Sequence, residues 1–213
     1  MAYQFPDSLL LIFCKAPIAG QVKTRLQPEL SAEQAAAAHR RLSRFTLDRA
    51  FQHALCPVRL YCAPDSLHPF FSECAAEYPL TLANQGSGHL GEKMHQAFVE
   101  ALADYPNAVL IGCDCPSLTL ADLRLAFSYL QAGKPAVIAP AEDGGYVLIG
   151  LNAPQPALFE NIVWGGEQVL QDTLQRAAEA GIEVEQLDRQ WDVDTAADWQ
   201  RFLACQPVQE YRK

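Results

Sequence analysis

Three cations and a glycine share one short stretch of this chain, and no carboxylate lies among them. The stretch reads CKAPIAGQVKTRL, Cys14 to Leu26, and between Ser8 and Pro28 the only charged residues are Lys15, Lys23 and Arg25. Cations without local counter-charges attract anions, and Gly20 lets the main chain come close to a ligand, so the chemistry on offer is the binding of a diphosphate. Opposite charges about 4 Å apart at a partly shielded surface attract by roughly 4 kcal/mol before desolvation, so two or three such contacts suffice to hold a nucleotide. The plainer alternative is a solvated basic loop. The stretch is not a P-loop, because Gly20-Gln-Val-Lys23-Thr24 separates the glycine from the lysine and lacks the first glycine of that motif.

Three acidic segments lie far from it in sequence. Asp114 sits in GCDCP, at the end of an apolar run where a ligand crevice is expected, although a turn or cap role is equally open to it. In WDVDT, Asp192 and Asp194 are two apart and point the same way if the segment is extended. Carboxylates gathered at such range repel by roughly 1 to 4 kcal/mol, which a hard divalent cation, Mg²⁺ or Mn²⁺, relieves. The competing role for Asp194 or Thr195 is to cap the last helix. Asp143-Gly-Gly-Tyr146 sets a carboxylate and a phenol around two glycines, Gly144 and Gly145, as either a substrate contact or an ordinary turn.

Three further patterns carry less. Cys113 and Cys115 flank Asp114, and as a thiol pair with a single residue between them they read as small buried hydrophobes rather than a metal site. The five histidines show no ligand spacing and read as surface or internally satisfied residues. Gly86-Ser-Gly88-His-Leu-Gly91 matches G-x-G-x-x-G, with Asp114 following 23 residues after the last glycine, so a nicotinamide-dependent oxidoreductase is one rival. Against it, the preceding Leu80 to Asn84 run is short and polar-ended, and the basic loop, Asp143 and the Asp192/Asp194 pair are left without roles.

The elements that must position these residues follow from the apolar pattern. Ser8 to Cys14 is almost wholly apolar and predicts a central strand buried on both faces. Ser31-Ala-Glu-Gln34 has capping-box form ahead of a helix to about Ala54. Strands are predicted at Pro57 to Cys62, Leu80 to Ala83, Ala108 to Cys113, Ala136 to Pro140, Gly145 to Leu151 and Glu183 to Leu187. Helices are predicted at Pro69 to Tyr78, Leu90 to Ala103, Thr119 to Gln131, Glu167 to Ala180 and Thr195 to about Ala204. Strands alternating with helices predict a single-domain, three-layer α/β/α sandwich over residues 1–213 with a mostly parallel mixed sheet, binding ligands beyond the carboxyl ends of its strands.

Composition narrows the class. Of 213 residues 50% are apolar and 19% charged, which is globular and excludes a disordered chain. The formal charge of −9 argues against nucleic acid as partner. It is unevenly spread: residues 1–50 hold seven Lys or Arg against four Asp or Glu, so the anion-attracting side chains gather at the start. No run is long enough to span a membrane, no export signal is evident, and seven cysteines without paired spacing point to a reducing cytoplasm.

Six segments taken in order, FCKAPIAGQVKTRL, QGSGHLGEKM, IGCDCPSL, PAEDGGYVLIGL, WGGEQVL and DVDTAADW, make the chain resemble a bacterial family of glycosyltransferases with the nucleotide-diphospho-sugar transferase (GT-A) fold, some members of which are assigned to arsenosugar biosynthesis. The resemblance runs from about Leu9 to Phe202. The first loop is also similar to that of phospholactate guanylyltransferases, and DVDTAADW to the endings of many sugar and cofactor nucleotidyltransferases. The resemblance implies that Lys15, Lys23 and Arg25 face nucleotide phosphates, that Asp114 stands at the metal-binding aspartate, and that Asp192 or Asp194 completes a Mg²⁺ or Mn²⁺ site. It also implies that Gln85 and Gly86 lie near the base or ribose. Gly144, Gly145, Tyr146 and Trp164 fall on the substrate side, with Asp143 a candidate base. The activity implied is transfer of a sugar from a nucleoside-diphosphate sugar to a small acceptor. The alternatives are a nucleotidyltransferase joining an NTP to a phosphorylated substrate and a non-catalytic sugar-nucleotide-binding protein.

Overall fold

In the computed structural model, which describes residues 2–27 and 29–205, the first apolar run is strand β1 (Ser8–Lys15), buried along its length except at Lys15. Leu10, Ile12 and Cys14 join one core cluster and Leu9, Leu11 and Phe13 another. A strand without polar alternation needs a layer on each side, and it has both. Strands β2 (Val58–Ala63), β3 (Thr81–Asn84), β4 (Asn107–Ile111), β5 (Ala136–Pro140), β6 (Tyr146–Leu151) and β7 (Val184–Gln186) complete one sheet in the order β3-β2-β1-β4-β6-β5-β7. Strand β6 runs antiparallel to both β4 and β5, and the remaining pairs are parallel.

Helices α1 (Ala32–Phe51), α2 (Pro69–Glu77) and α4 (Leu120–Gln131) contribute Leu47, Phe70 and Phe127 to the first cluster. Helices α3 (Leu90–Leu102) and α5 (Val169–Glu179) contribute Phe98 and Ala177 to the second. The expected strands and helices are all present, with ends shifted by at most three residues. The Ser31 capping box forms as read: Ser31 accepts from Gln34 N–H and the Gln34 side chain accepts from Ser31 N–H. Among the described residues no helix is long and apolar enough to cross a membrane.

A third, smaller cluster was not visible in the periodicity. Leu26, Ala35, Ala38, Leu42, Val193 and Phe202 pack together, joining α1, the last helix α6 (Ala196–Cys205) and the loops before each. Leu26 lies in a short 3-10 turn, Thr24–Leu26, and both it and Val193 are fully buried. Burying one such side chain is worth about 1.5–3 kcal/mol, so this cluster fastens the end of the basic loop to the WDVDT segment.

Candidate active site

Lys23 opens the 3-10 turn in the left-handed region, φ 49° and ψ 40°. A non-glycine residue there is strained by roughly 1–2 kcal/mol, and the gain is where its side chain ends. Lys23 Nζ lies 2.7 Å from Asp114 Oδ2, 3.2 Å from Asp194 Oδ1 and 2.6 Å from the carbonyl oxygen of Val193. Arg25 Nη1 donates to Asp194 Oδ2 at 3.0 Å. The Lys23 side chain is 7% exposed, whereas those of Asp114 and Asp194 are 32% and 37% exposed. Burial works against the ammonium charge, yet Asp114 and then Asp194 outweigh it and hold the Lys23 pKa above its ordinary value. Burial likewise opposes the Asp114 carboxylate, and Lys23 overcomes it and keeps that pKa low.

Hydrogen bonds between loops set this geometry. Val193 N–H donates to Asp114 O at 3.0 Å. Trp191 N–H donates to Ser117 Oγ at 2.9 Å, and that hydroxyl donates back to Trp191 O at 3.0 Å. The cap of α6 is formed by Thr195 with Asp198: Asp198 Oδ2 accepts from Thr195 N–H at 2.8 Å and from its hydroxyl at 2.6 Å. Asp194 is therefore free of the capping role and meets the cations.

Oxygens of Asp114, Asp192 and Asp194 lie within 4.8 Å of one another. Three carboxylates at this range fit a hard divalent ion, which takes oxygen donors. Asp192 carries the electrostatic cost of this crowding. Burial first, then the charges of Asp114, Asp194 and Asp143, push its pKa up to about 7, and Lys23 offsets them only in part.

The surrounding cleft measures about 520 Å³ and is lined by Lys15, Lys23, Arg25, Asp114, Asp143 and Asp194 among others. It opens at the carboxyl ends of β1 and β4, where the topology predicts ligands. The cations of the basic loop, Asp114, Asp143 and Asp194 thus meet in one place. Asp192 lines an adjoining cavity of about 150 Å³ together with Tyr146 and Phe13. Gly144 lines a further pocket beside Arg25, Asp143 and Gly165. Asp143 Oδ1 accepts from Gly145 N–H at 2.9 Å, closing the turn that presents its other oxygen. Gly20 sits at the loop tip with φ 79°.

Other expected residues play partly structural parts. Gln85 is buried at the cleft wall, and its amide donates to Tyr61 O at 3.0 Å and to Cys14 O at 3.4 Å, so only its Oε1 is left for a ligand. Gly86, with φ 73°, follows it outside the cleft lining. Trp164 packs edge-on against Tyr146, with ring centroids 6.4 Å apart, and covers Gly91, where a Cβ would fall 2.6 Å from the indole nitrogen. This explains the glycines of the G-x-G-x-x-G match. Strand β3 before them is the edge of the sheet, and the α3 N-terminus is occupied by a His89–Glu92 capping box. A Cβ on Gly88 would meet the Glu92 carboxylate at 2.2 Å, and that carboxylate already accepts from His89 N–H at the start of α3.

Sequence spacing gave no sign of His39, which lies on α1 and yet lines the cleft beside Cys113. Its Nε2 bonds to Lys15 O at 2.8 Å. The contact is made only in the folded chain, and no local pattern announces it. The Val193 carbonyl that accepts from Lys23 was equally hidden, since a main-chain oxygen has no sequence signature.

Similarity to known proteins agrees with this architecture. A protein of Desulfovibrio desulfuricans G20, provisionally named a nucleotide-diphospho-sugar transferase, matches with 32% identity and a TM-score of 0.85, over 98% of this chain and 91% of that one. A CMP:2-keto-3-deoxy-manno-octonic acid synthetase complexed with CTP matches at 10% identity and TM-score 0.61, over 93% of this chain and 97% of the other. Rv0371c of Mycobacterium tuberculosis H37Rv, in complex with manganese, matches at 14% identity and TM-score 0.58, over 94% and 100%. The latter two share the fold, that of nucleotide-diphospho-sugar transferases. No curated protein matches the chain by sequence. Residues 46–166 match the family described as an uncharacterized protein conserved in bacteria, DUF2064, and the chain belongs to that family.

Proposed function

We propose that the chain is a divalent-cation-dependent glycosyltransferase that takes a nucleoside-diphosphate sugar and passes the sugar to a small acceptor. The observation that carries this reading is the convergence of Lys23 and Arg25 with Asp114 and Asp194 at the carboxyl ends of β1 and β4. Cations alone would bind any anion, and carboxylates alone any cation. Interleaved in one cleft, they suit a ligand that is a polyanion carrying its own metal.

Mg²⁺ or Mn²⁺ held by Asp114, Asp192 and Asp194 would supply Lewis-acid neutralisation of the diphosphate. Lys15, exposed at the end of β1, and Arg25 reach the phosphate oxygens from the loop side, and Lys23 steadies the carboxylates while facing the same cleft. As the bond from sugar to diphosphate breaks, charge accumulates on the departing phosphate, and these fixed cations stabilise it more in the transition state than in the ground state. Asp143 Oδ2 takes the proton of the acceptor hydroxyl, its Oδ1 being held by Gly145. That role is supported by its lining both the cleft and the neighbouring pocket of Gly144 and Gly165. The small cavity beside Tyr146 and Asp192 adjoins the same place.

The deciding experiment incubates the protein with UDP-, GDP-, CDP- and dTDP-sugars and Mn²⁺, and in parallel with NTPs and sugar phosphates. Release of nucleoside diphosphate supports the proposal. Release of pyrophosphate makes the chain a nucleotidyltransferase instead, and the absence of any nucleotide binding with or without the ion removes both.

A further inference from the structure

Behind the acidic cleft lies a second cluster of a different chemical kind. One ligand atom each from Cys14, His39 and Cys113 lies within 4.8 Å of the others, and the three residues are 2%, 4% and 5% exposed. Cys14 and Cys113 immediately precede Lys15 and Asp114, at the tips of β1 and β4, and both join the core cluster on the α1 side of the sheet. His39 comes down onto them from α1.

The imidazole is held in one tautomer. Its Nε2 bonds to Lys15 O, and a carbonyl only accepts, so Nε2 carries the proton and Nδ1 carries the lone pair. That Nδ1 is buried and has no hydrogen-bond partner. A carbonyl that fixes the far nitrogen of a histidine is the usual support of a metal ligand. Tetrahedral coordination with Zn–S distances near 2.3 Å sets two sulfurs about 3.8 Å apart, so small side-chain rotations bring this trio to ligating distance.

We propose that Cys14, His39 and Cys113 form a zinc site separate from the carboxylate site. Two thiolates, a neutral imidazole and Zn²⁺ sum to zero charge, which suits burial, whereas a monovalent ion would leave an uncompensated negative charge next to Asp114. Thiolate donors select soft ions and carboxylates select hard ones, so the two neighbouring sites do not compete for the same metal. His39 and Cys113 both line the cleft, which gives the ion an entrance and leaves its fourth position facing the cleft. Once filled, the site ties α1 to the two strand tips from which Lys15 and Asp114 project. The inference does not depend on the transfer reaction.

The test uses the full chain kept reduced, titrated with Co²⁺ as a spectroscopic stand-in for zinc. One equivalent is expected to give a thiolate-to-cobalt charge-transfer band in the near ultraviolet that added Zn²⁺ abolishes. The band should disappear in Cys14→Ser and Cys113→Ser. In His39→Gln, which keeps a donor for Lys15 O but lacks the ligating nitrogen, it should require at least about tenfold more cobalt. It should persist in Asp194→Asn and in Cys205→Ser, which alters the exposed cysteine. No band, or a band that survives Cys113→Ser or vanishes in Cys205→Ser, overturns the proposal. X-ray absorption of the zinc-loaded wild-type protein needs no variant: two sulfurs and a nitrogen around the ion uphold the site, and an all-oxygen shell rejects it.

Discussion

Lys23 Nζ lies 2.7 Å from Asp114 Oδ2 although 91 residues separate the two in the chain, and Asp194 reaches the same ammonium from a further loop. The pair joins the basic loop after β1 to the acidic loop after β4, so each side chain holds the other in the cleft. Replacing Lys23 by methionine keeps the length and removes the charge. It should destabilise the protein at neutral pH by about 1–3 kcal/mol in urea unfolding, a figure kept low because the carboxylates are partly solvated. The loss should shrink once acid protonates the carboxylates, and Mn²⁺ should stabilise the variant more than the parent. A variant as stable as the parent at neutral pH would show that the pair is ornamental.

Asp192 gives a dependence on pH with a definite sign. Its pKa is pushed from 3.8 up to about 7 by burial and by the charges of Asp114, Asp194 and Asp143, so folding takes up a proton between those values. The group therefore costs no stability below the unfolded pKa and an increasing amount as pH rises towards 7. Asp192→Asn should be more stable than the parent near pH 8 and lose that advantage near pH 4. Thermal melts across this range test it.

The same residue predicts how an ion binds. A cation at the three carboxylates displaces the Asp192 proton, so Mn²⁺ affinity should rise with pH until about 7 and then level off. Calorimetry in two buffers of different ionisation enthalpy should report close to one proton released near pH 6 and almost none near pH 8. Proton release that does not change with pH would separate Asp192 from the ion.

Asp194 touches Lys23 and Arg25 but does not cap α6. Asp194→Asn should therefore leave the helical circular dichroism intact while lowering turnover by about 100-fold or more, the scale of losing a fixed electrostatic partner. It should also abolish the metal-dependent part of the thermal shift produced by a nucleotide. A ligand at about 100 times its Kd adds about 2.7 kcal/mol, which makes the loss easy to read.

Gly144 has φ +88°, and a Cβ there would fall 2.1 Å from the Glu167 carbonyl oxygen. Gly144→Ala must therefore shift main chain as well as adopt a strained conformation, at a cost of about 1–3 kcal/mol. For a chain of this length that corresponds to a fall of roughly 2–12 °C in Tm. The Asp143 turn moves with it, so activity should fall further than stability. An alanine variant with unchanged melting and turnover would mean that the EDGG turn adapts freely.

How much of this could be read from the residues alone depends on how local each cause is. The apolar run of β1 and the Ser31 box are determined by neighbours a few positions away, and both form as expected. The gathering of Lys23, Arg25, Asp114 and Asp194 was legible because each sits at the end of a predicted strand or before a predicted helix, and an α/β sheet sends such ends to one rim. The left-handed Lys23 turn, the Leu26–Val193 packing and the seat of His39 between two thiols arise from contacts between distant segments. Propensity and spacing carry no record of those. The choice between Asp194 and Thr195 as helix cap was open in the sequence and was settled by Asp198, which binds Thr195 and frees Asp194.

The reversed direction of β6 has a consequence for how the Asp143 turn is held. A hairpin joins β5 to β6, with Asp143, Gly144 and Gly145 at its tip, and carries the chain straight back without a crossing helix. The tip is held at both sides: Leu170 N–H of α5 donates to Gly144 O at 2.9 Å, Glu142 N–H donates to Gln190 O at 2.9 Å, and Arg201 of α6 pairs with the Glu142 carboxylate at 2.9 Å. A change of length at this turn therefore pulls on α5 and α6 together, so the Asp143 carboxylate is set in place by segments from the far end of the chain.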